Sequence, residues 1–412
     1  MLLIRKKQNL QYRWLNVVVF LLVQLPLFPP GIILTNASFA TIRTIWNLLR
    51  LLTFGVSFFV FVNYRFNSIK KIPDIFLFLL IYYGTLTLST LFGSKDFFDL
   101  LSNALSVFSI AFFLTGLSGK SREEFLFASC LILITYTIIN LITVLLYPNG
   151  IWVSQGEAFF FLGHNNNAAR FLVPGVVFCA YLDLRKKDKI SNFTRVLSIL
   201  ALTTVILTWS NTGMVGCFIV LLFVFFYRIW PPFCTARNYF LLSWLVFFLF
   251  VVFQRSEWFK LVLVNVFHKD YSLSNRILMW DMAFNYWKGH WLLGSGYLTD
   301  YSAVIQIGDY VPSSCHNFYL DALVRGGIIN LIALSALILY VCIQLDRNRD
   351  QGAFRCLAVG LLATFIMWNF ETYLFDGTVP LFLLMLLSVQ AKRKKEKEND
   401  ITGIFNKFRR KE

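Results

Sequence analysis

Arginine, histidine and amide side chains gather in four short stretches of this 412-residue chain. "SNRILMW" places Arg276 four residues before Trp280, and "CHNFYLDALVRGG" places His316 and Asn317 ahead of Asp321 and Arg325. "GHNNNAAR" links His164, Asn165 and Asn166 to Arg170. "TIRTIWNLLRLL" spaces Arg43, Asn47 and Arg50 at i, i+4 and i+7, one stripe of a helix. A guanidinium fork binds phosphate through two parallel hydrogen bonds, so several arginines at one level fit an anionic ligand such as pyrophosphate. An imidazole accepts protons near neutral pH, which makes His316 the first candidate for activating a weak nucleophile. His164 is second, and it can equally orient a ligand hydroxyl together with Asn165 and Asn166. Glu157, Glu371 and Asp376 are carboxylates able to take the base role instead.

Each of these residues has a plainer reading. Asp321 and Arg325, at i and i+4, make a buried ion pair without any ligand. Arg43 can snorkel to a membrane interface. Arg50 sits within an apolar run, where arginine faces a protein interior and marks a functional site. Arg276, Trp280, Phe284 and Trp287 share one face of a helix that Ser274 can cap and that ends near Lys288, before Gly289. Such a face describes a helix lying in the membrane interface, which explains the aromatic residues but not Arg276, and Trp280 can also bind a glycan by stacking on a sugar ring.

The elements that hold these residues are membrane spans. Of the chain, 57% is hydrophobic and only 15% charged, too little charge to cover a soluble surface. Apolar runs long enough to cross a bilayer fall at 14–34, 45–63, 72–92, 97–118, 125–147, 166–183, 193–209, 212–230, 239–255, 317–345, 353–373 and 376–391. The expected fold is an all-α polytopic membrane protein of about twelve transmembrane helices, with short interfacial helices in one large external loop. Residues 1–255 form an N-terminal bundle, 256–316 the loop, 317–391 the C-terminal helices and 392–412 a basic tail. Arg5-Lys6-Lys7, Lys70-Lys71, Lys120, Arg122, Arg185-Lys186-Lys187, Arg347, Arg349 and Lys392-Arg393-Lys394-Lys395 then fall on one side, the cytoplasmic side that also holds both termini. The net charge of +16 therefore reports topology, and a nucleic-acid partner is not expected. The first span lacks a cleavage site before Pro29-Pro30-Gly31 and reads as a retained helix. All four histidines (His164, His268, His290, His316) and the long connections 148–165 and 256–316 fall outside. Seven cysteines without metal-type spacing, no paired aspartates at ligand spacing and no Walker loop point to no metal, no cofactor and no ATP-driven pump.

In "RILMW", "GSG" and "CHNFYLDALVRGGIINLI", taken in that order across the large loop, the chain resembles the O-antigen ligase/polymerase family of membrane enzymes that handle lipid-linked glycans. "GHNNNAAR" resembles the family's Asn-rich approach to a central span, and the recognisable core covers roughly residues 155–345. There are two departures. Many members place an arginine after a serine where this chain has Ser210, Asn211 and Thr212, and a proline commonly precedes the Gly-x-Gly where this chain has "GHWLLGSG". The first shifts phosphate binding toward Arg170 or Arg50.

The resemblance implies a metal-independent, inverting glycosyltransferase acting outside the cytoplasm on a polyprenyl-pyrophosphate-linked oligosaccharide. Arg276, Arg325, Arg170 and Arg50 would neutralise the leaving pyrophosphate, and His316 beside Asn317 would accept the acceptor's proton. The favoured activity is polymerisation of lipid-linked repeat units into capsular or O-antigen polysaccharide at the bacterial cytoplasmic membrane. The missing Ser-Arg element favours it, as does a Phe-, Lys- and Asn-rich composition like that of AT-rich, capsule-forming bacteria. A ligase moving a finished glycan to a glycolipid or protein is the alternative. A flippase or other transporter is the second, and would show midplane polar residues and repeat symmetry. The expected partners are the lipid-linked substrate, the bilayer and other polysaccharide-export proteins.

Overall fold

A computed structural model describes residues 13–66, 73–93, 96–117, 119–154, 157–231, 234–253, 275–308, 310–348, 351–373 and 381–387. The described residues are mostly helical, with one small sheet and an irregular stretch between Gly289 and Phe318. Seven segments are long and apolar enough to cross a membrane: Trp14–Thr35, Ala37–Tyr64, Asp74–Phe92, Phe97–Gly116, Gly119–Leu146, Asn165–Lys187 and Phe318–Asp346. Asn192–Leu207, Asn211–Phe226, Ala236–Val252 and Gly352–Trp368 are apolar but shorter than the ~20 residues that a bilayer core requires. The expected count of about twelve crossings is thus met by length for seven segments. Most of the expected span 376–391 lies outside the described residues, as do Ser274, His268, Asp376 and the basic groups at 5–7, 70–71, 349 and 392–395.

The first segment is interrupted. Helix α1 (Trp14–Gln24) passes through a 3-10 turn, Leu25–Leu27, to α2 (Gly31–Thr35). Pro26, Pro29 and Pro30 withhold the N–H groups that a continuous helix needs. The break lets backbone meet backbone, with Ile32 N–H donating to Phe161 O at 3.1 Å. A Cβ on Gly31 would stand 2.3 Å from Leu162 O. Next come α3 (Ala40–Phe66), α4 (Asp74–Phe92), α5 (Phe97–Gly116) and α6 (Gly119–Leu146), with α3 packed on α5 and α6 on α1. An antiparallel sheet of β1 (Trp152–Ser154), β2 (Glu157–Phe160) and β3 (Gly163–His164) pairs Trp152 with Phe159 and Phe159 with His164. Helices α7 (Ala169–Lys187), α8 (Asn192–Leu207), α9 (Asn211–Phe226), α10 (Ala236–Phe247), α11 (Arg276–Gly289), α12 (Phe318–Asp346) and α13 (Gly352–Trp368) complete the set. Helix α13 packs against α7 and α9, and α12 against α4. Because the chain alternates direction, α7, α9 and α12 begin at the end of the bundle where α13 finishes. Asn166, Arg276, His316 and Glu371 meet there.

Beyond α11 the chain enters the bundle instead of remaining outside it. Helix α12 is broken at Gly327 (φ 64°, ψ −170°). The break frees the carbonyls of Val324 and Arg325 and the N–H of Ile328 from helical pairing. Ser295 N–H takes Val324 O at 2.9 Å, Gly296 N–H takes Arg325 O at 2.8 Å, and Ile328 N–H reaches Trp291 O at 2.9 Å. From α4, Ser89 Oγ donates to Arg325 O at 2.6 Å and accepts from Gly296 N–H at 2.9 Å. These three released groups are therefore satisfied, as an apolar surrounding demands. Only glycine fits at the contact. Gly294 has φ +68°, and a Cβ there would lie 2.5 Å from Gly327 N, while one on Gly327 would lie 2.2 Å from Leu292 O. "GSG" and "RGG" are two halves of one backbone joint.

Helix α11 packs on α12, and this corrects the interfacial reading of its aromatic stripe. Trp280 is fully buried, its indole N–H donating to Cys315 O at 3.0 Å, so it is a core anchor. Phe284 and Trp287 are half-buried. Asn275, in the left-handed region, precedes the helix and makes no side-chain cap.

Candidate active site

Glu371 follows the end of α13 and is buried. Its backbone N–H closes on Met367 O at 2.8 Å. Phe318 stacks on Trp368 with centroids 4.0 Å apart, and Asn317 Nδ2 donates to Asn369 O at 2.8 Å, which fixes the start of α12 against this turn. Asn317 Oδ1 caps α12 by accepting from Leu320 N–H. The carboxylate then collects side chains from three other places. Oε1 accepts from Arg276 Nη2 at 2.5 Å and from Asn166 Nδ2 at 2.8 Å, and Oε2 meets His316 Nδ1 at 3.0 Å. Asn166 is tied down in turn, its Oδ1 accepting from Ser210 Oγ at 3.0 Å and its carbonyl from Tyr373 OH at 2.5 Å. Asn165 Nδ2 reaches Thr208 O at 3.2 Å.

Backbone strain concentrates here. Among the described residues four non-glycines have positive φ, and three of them border this cluster: His316 itself, Asn275 before Arg276, and Trp209 before Ser210. Such conformations cost free energy and persist where surrounding packing fixes them, a frequent property of functional sites. Asp321 supplies part of that packing. It is fully buried, accepts from Cys315 N–H at 3.1 Å and from Tyr301 OH at 2.5 Å, and so sets the residue just before His316.

The hydrogen bonds define the chemistry. An ionised Glu371 can only accept, so the imidazole proton is held on Nδ1 and the lone pair on Nε2 is left for another group. This is the geometry of a base oriented by a carboxylate. Arg276 brings positive charge to the same carboxylate, and guanidinium has five donors, of which one nitrogen's is used here.

Nearby titrating groups feel the cluster. Burial lowers the pKa of His164 below its ordinary range and His316 pushes it further down, while Glu157 and Glu371 oppose. The 2.9 Å contact of His164 Nε2 with Glu157 does not win, because Glu157 is more than half exposed and water screens it. Tyr310 is pushed up by burial, Glu157 and Glu371, with Arg276 opposing. Burial and Glu371 raise Tyr373, and Arg170 and Arg276 oppose. His164, Arg170, Tyr310 and Tyr373 thus share one electrostatic neighbourhood with Glu371.

The remaining arginines stand elsewhere. Arg325 is buried with its Nε 3.0 Å from Asp321 Oδ2 and 2.9 Å from Tyr301 OH, and its guanidinium lies 4.4 Å from the Tyr297 ring centre. It belongs to the joint around Gly327. Arg50 Nη1 donates to Ser102 Oγ at 2.6 Å, across to α5. Arg43 donates to Ile33 O at 3.1 Å and Asn36 O at 3.3 Å, serving the carbonyls at the end of α2. The structure therefore joins His316, Arg276, Asn165 and Asn166, with His164 and Arg170 close by, and does not bring Arg325, Arg50 or Arg43 to Glu371. What sequence reasoning missed is the pairing of Glu371 with both Arg276 and His316, and the presence of Tyr310 and Tyr373. The available signal was a carboxylate in the last three residues of the 353–373 span, at the end on the side that holds the histidines.

Among the described residues no group of three or more His, Cys, Asp or Glu is arranged to hold a metal ion. No curated protein matches the chain. Residues 196–335 match the O-antigen ligase family, a stretch running from α8 past the Gly327 joint and containing Ser210, Arg276, His316, Asp321 and Arg325. Over those residues the chain is similar to the O-antigen ligase family.

Proposed function

We propose that the chain is a polymerase that joins polyprenyl-pyrophosphate-linked oligosaccharide repeat units on the outer face of a bacterial cytoplasmic membrane. One observation carries the reading: Glu371 holds His316 Nδ1 on one oxygen and Arg276 Nη2 on the other. An acceptor hydroxyl placed at His316 Nε2 loses its proton to that nitrogen as its oxygen bonds to the anomeric carbon of the donor sugar. The bond from that carbon to the pyrophosphate oxygen breaks on the opposite face, so the configuration inverts. Glu371 stabilises the imidazolium as it forms, and Arg276 with Arg170 neutralises the departing pyrophosphate in a site poor in water. Charge on the leaving group is thus met by guanidinium groups, which supports transfer without a metal. His164, Asn165 and Tyr310 border the space where acceptor sugars would lie.

A ligase uses the same chemistry once, on a different acceptor, and the description of the matched family favours this second reading. Purified protein in detergent, a chelator and a chemically defined lipid-pyrophosphate repeat unit distinguish the two. A ladder of repeat lengths is the expected result. A single transfer, seen only when a glycolipid or protein acceptor is added, would make the chain a ligase. An intact donor with every acceptor would refute glycosyl transfer and leave the transporter.

A further inference from the structure

The opposite end of the α8–α9 pair holds a second feature, unrelated to the chemistry at Glu371. Each helix has 16 residues, about 24 Å of rise, against a hydrocarbon core of about 30 Å. With the Thr208–Ser210 turn of the pair set at one head-group level, helices of this length would stop short of the other. A cavity of about 420 Å³ opens there. Its cations are Lys189, Arg195 and Arg228, and no carboxylate is among its lining residues. Of the acids in the preceding segment, Asp188 is exposed beside Lys189 and does not line the cavity, and Asp183 is already engaged, accepting from Ser191 Oγ and Thr194 Oγ1 at 2.6 Å each. Arg195 Nε is buried with no hydrogen-bond partner among the described residues, while its Nη1 donates to Asn192. Around these charges Phe225, Phe226 and Ile229 are exposed.

We propose that this cavity binds one anionic phospholipid, phosphate against Arg195 and Arg228 and acyl chains along Phe225, Phe226 and Ile229. Charge complementarity selects the head group, since basic pockets between membrane helices hold acidic lipid heads. The exposed aromatic and aliphatic side chains select a lipid over a soluble phosphate, which would leave them in water. Helix shortness gives the lipid its place, because a recessed helix end must be filled by bilayer components or the membrane must thin.

The test is native mass spectrometry of the full-length protein released from nanodiscs of phosphatidylcholine with one-fifth phosphatidylglycerol. The wild type is expected to retain phosphatidylglycerol in preference to phosphatidylcholine. R195Q/R228Q should bind it roughly 30-fold more weakly, two surface charges' worth. R195K/R228K should retain most of the preference, which shows that a folded pocket is being read. K120Q/K187Q removes two cations from the same end outside the cavity and should change nothing. Equal loss in K120Q/K187Q, or none in R195Q/R228Q, would overturn the site in favour of diffuse surface charge. Displacement of the bound lipid by millimolar glycerol phosphate would overturn the choice of a lipid as occupant.

Discussion

Exchanging Glu371 for glutamine changes one atom and tests the whole reading of the site. The amide has one acceptor oxygen and one donor nitrogen, and the surroundings decide which goes where. The Oε1 position receives two donors, Arg276 Nη2 and Asn166 Nδ2, so the oxygen must stay there. Turning the amide over would set its NH2 against both. Its nitrogen therefore takes the Oε2 position, 3.0 Å from His316 Nδ1, and forces that ring atom to accept. The imidazole proton moves to Nε2, where the acceptor hydroxyl needs a lone pair. The base is lost while every heavy atom keeps its place. A carboxylate-to-amide change behind a catalytic histidine in a serine protease lowers turnover about 10⁴-fold by this route, so a loss of about 10³- to 10⁴-fold is expected, about 4–5.5 kcal/mol of barrier.

Single-turnover transfer from a defined lipid-linked donor at saturating acceptor measures this directly. Donor affinity should change little, because the amide oxygen still receives Arg276. Nitrogen-15 spectra of labelled histidine report the tautomer independently of rate. A Glu371→Gln enzyme within tenfold of wild type, with Nδ1 still protonated, would refute the assignment of His316 as an oriented base.

Four other expectations follow from the same geometry. His316→Ala and Arg276→Ala should each abolish transfer in protein that still inserts and elutes as a single species, and full activity in both would remove the site from this end of the bundle. Gly327→Ala meets Leu292 O at 2.2 Å with φ at +64°, so it should cost at least about 3 kcal/mol, read as a drop in melting temperature in detergent. Arg325→Met strands the buried Asp321 and should cost about 3–5 kcal/mol, whereas Asp321→Asn/Arg325→Met should recover much of that; equal losses would argue against a structural pair. Burial depresses the pKa of His164, so the stability gained by keeping the ring neutral is present above the free-histidine range and lost as pH falls through the lowered value. His164→Gln should flatten the acid side of the melting-temperature profile, and an unchanged profile would refute that.

The helices were legible because apolar runs and glycine or proline punctuation are local properties. The break in α12 was not. "LVRGGIINLI" reads as one apolar helix, since two glycines cost a helix only about 1 kcal/mol each. What opens it is a backbone loop from residues 291–297, whose N–H groups pair with the freed carbonyls. Trp280 shows the same limit: a stripe of aromatics at helical spacing looks alike whether it faces lipid or a neighbouring helix. The spacing of Asp321 and Arg325 left both a plain ion pair and a ligand-binding arginine open, and full burial of the carboxylate together with Tyr301 favours the pair.

The site itself was legible only by halves, for a physical reason. The stretch that matches the O-antigen ligase family contributes an imidazole and a guanidinium, those of His316 and Arg276. Neither is complete alone: a neutral imidazole with no partner exchanges tautomers, and a guanidinium with no partner has no fixed direction. Both are settled by Glu371, 55 and 95 residues away and outside the matched stretch, and Glu371 is held by Asn166 from a fourth segment. A motif can specify which functional groups arrive at a site. The proton's position on the ring depends on the oxygen that faces it, and here that oxygen enters only when α13 closes on α7 and α12.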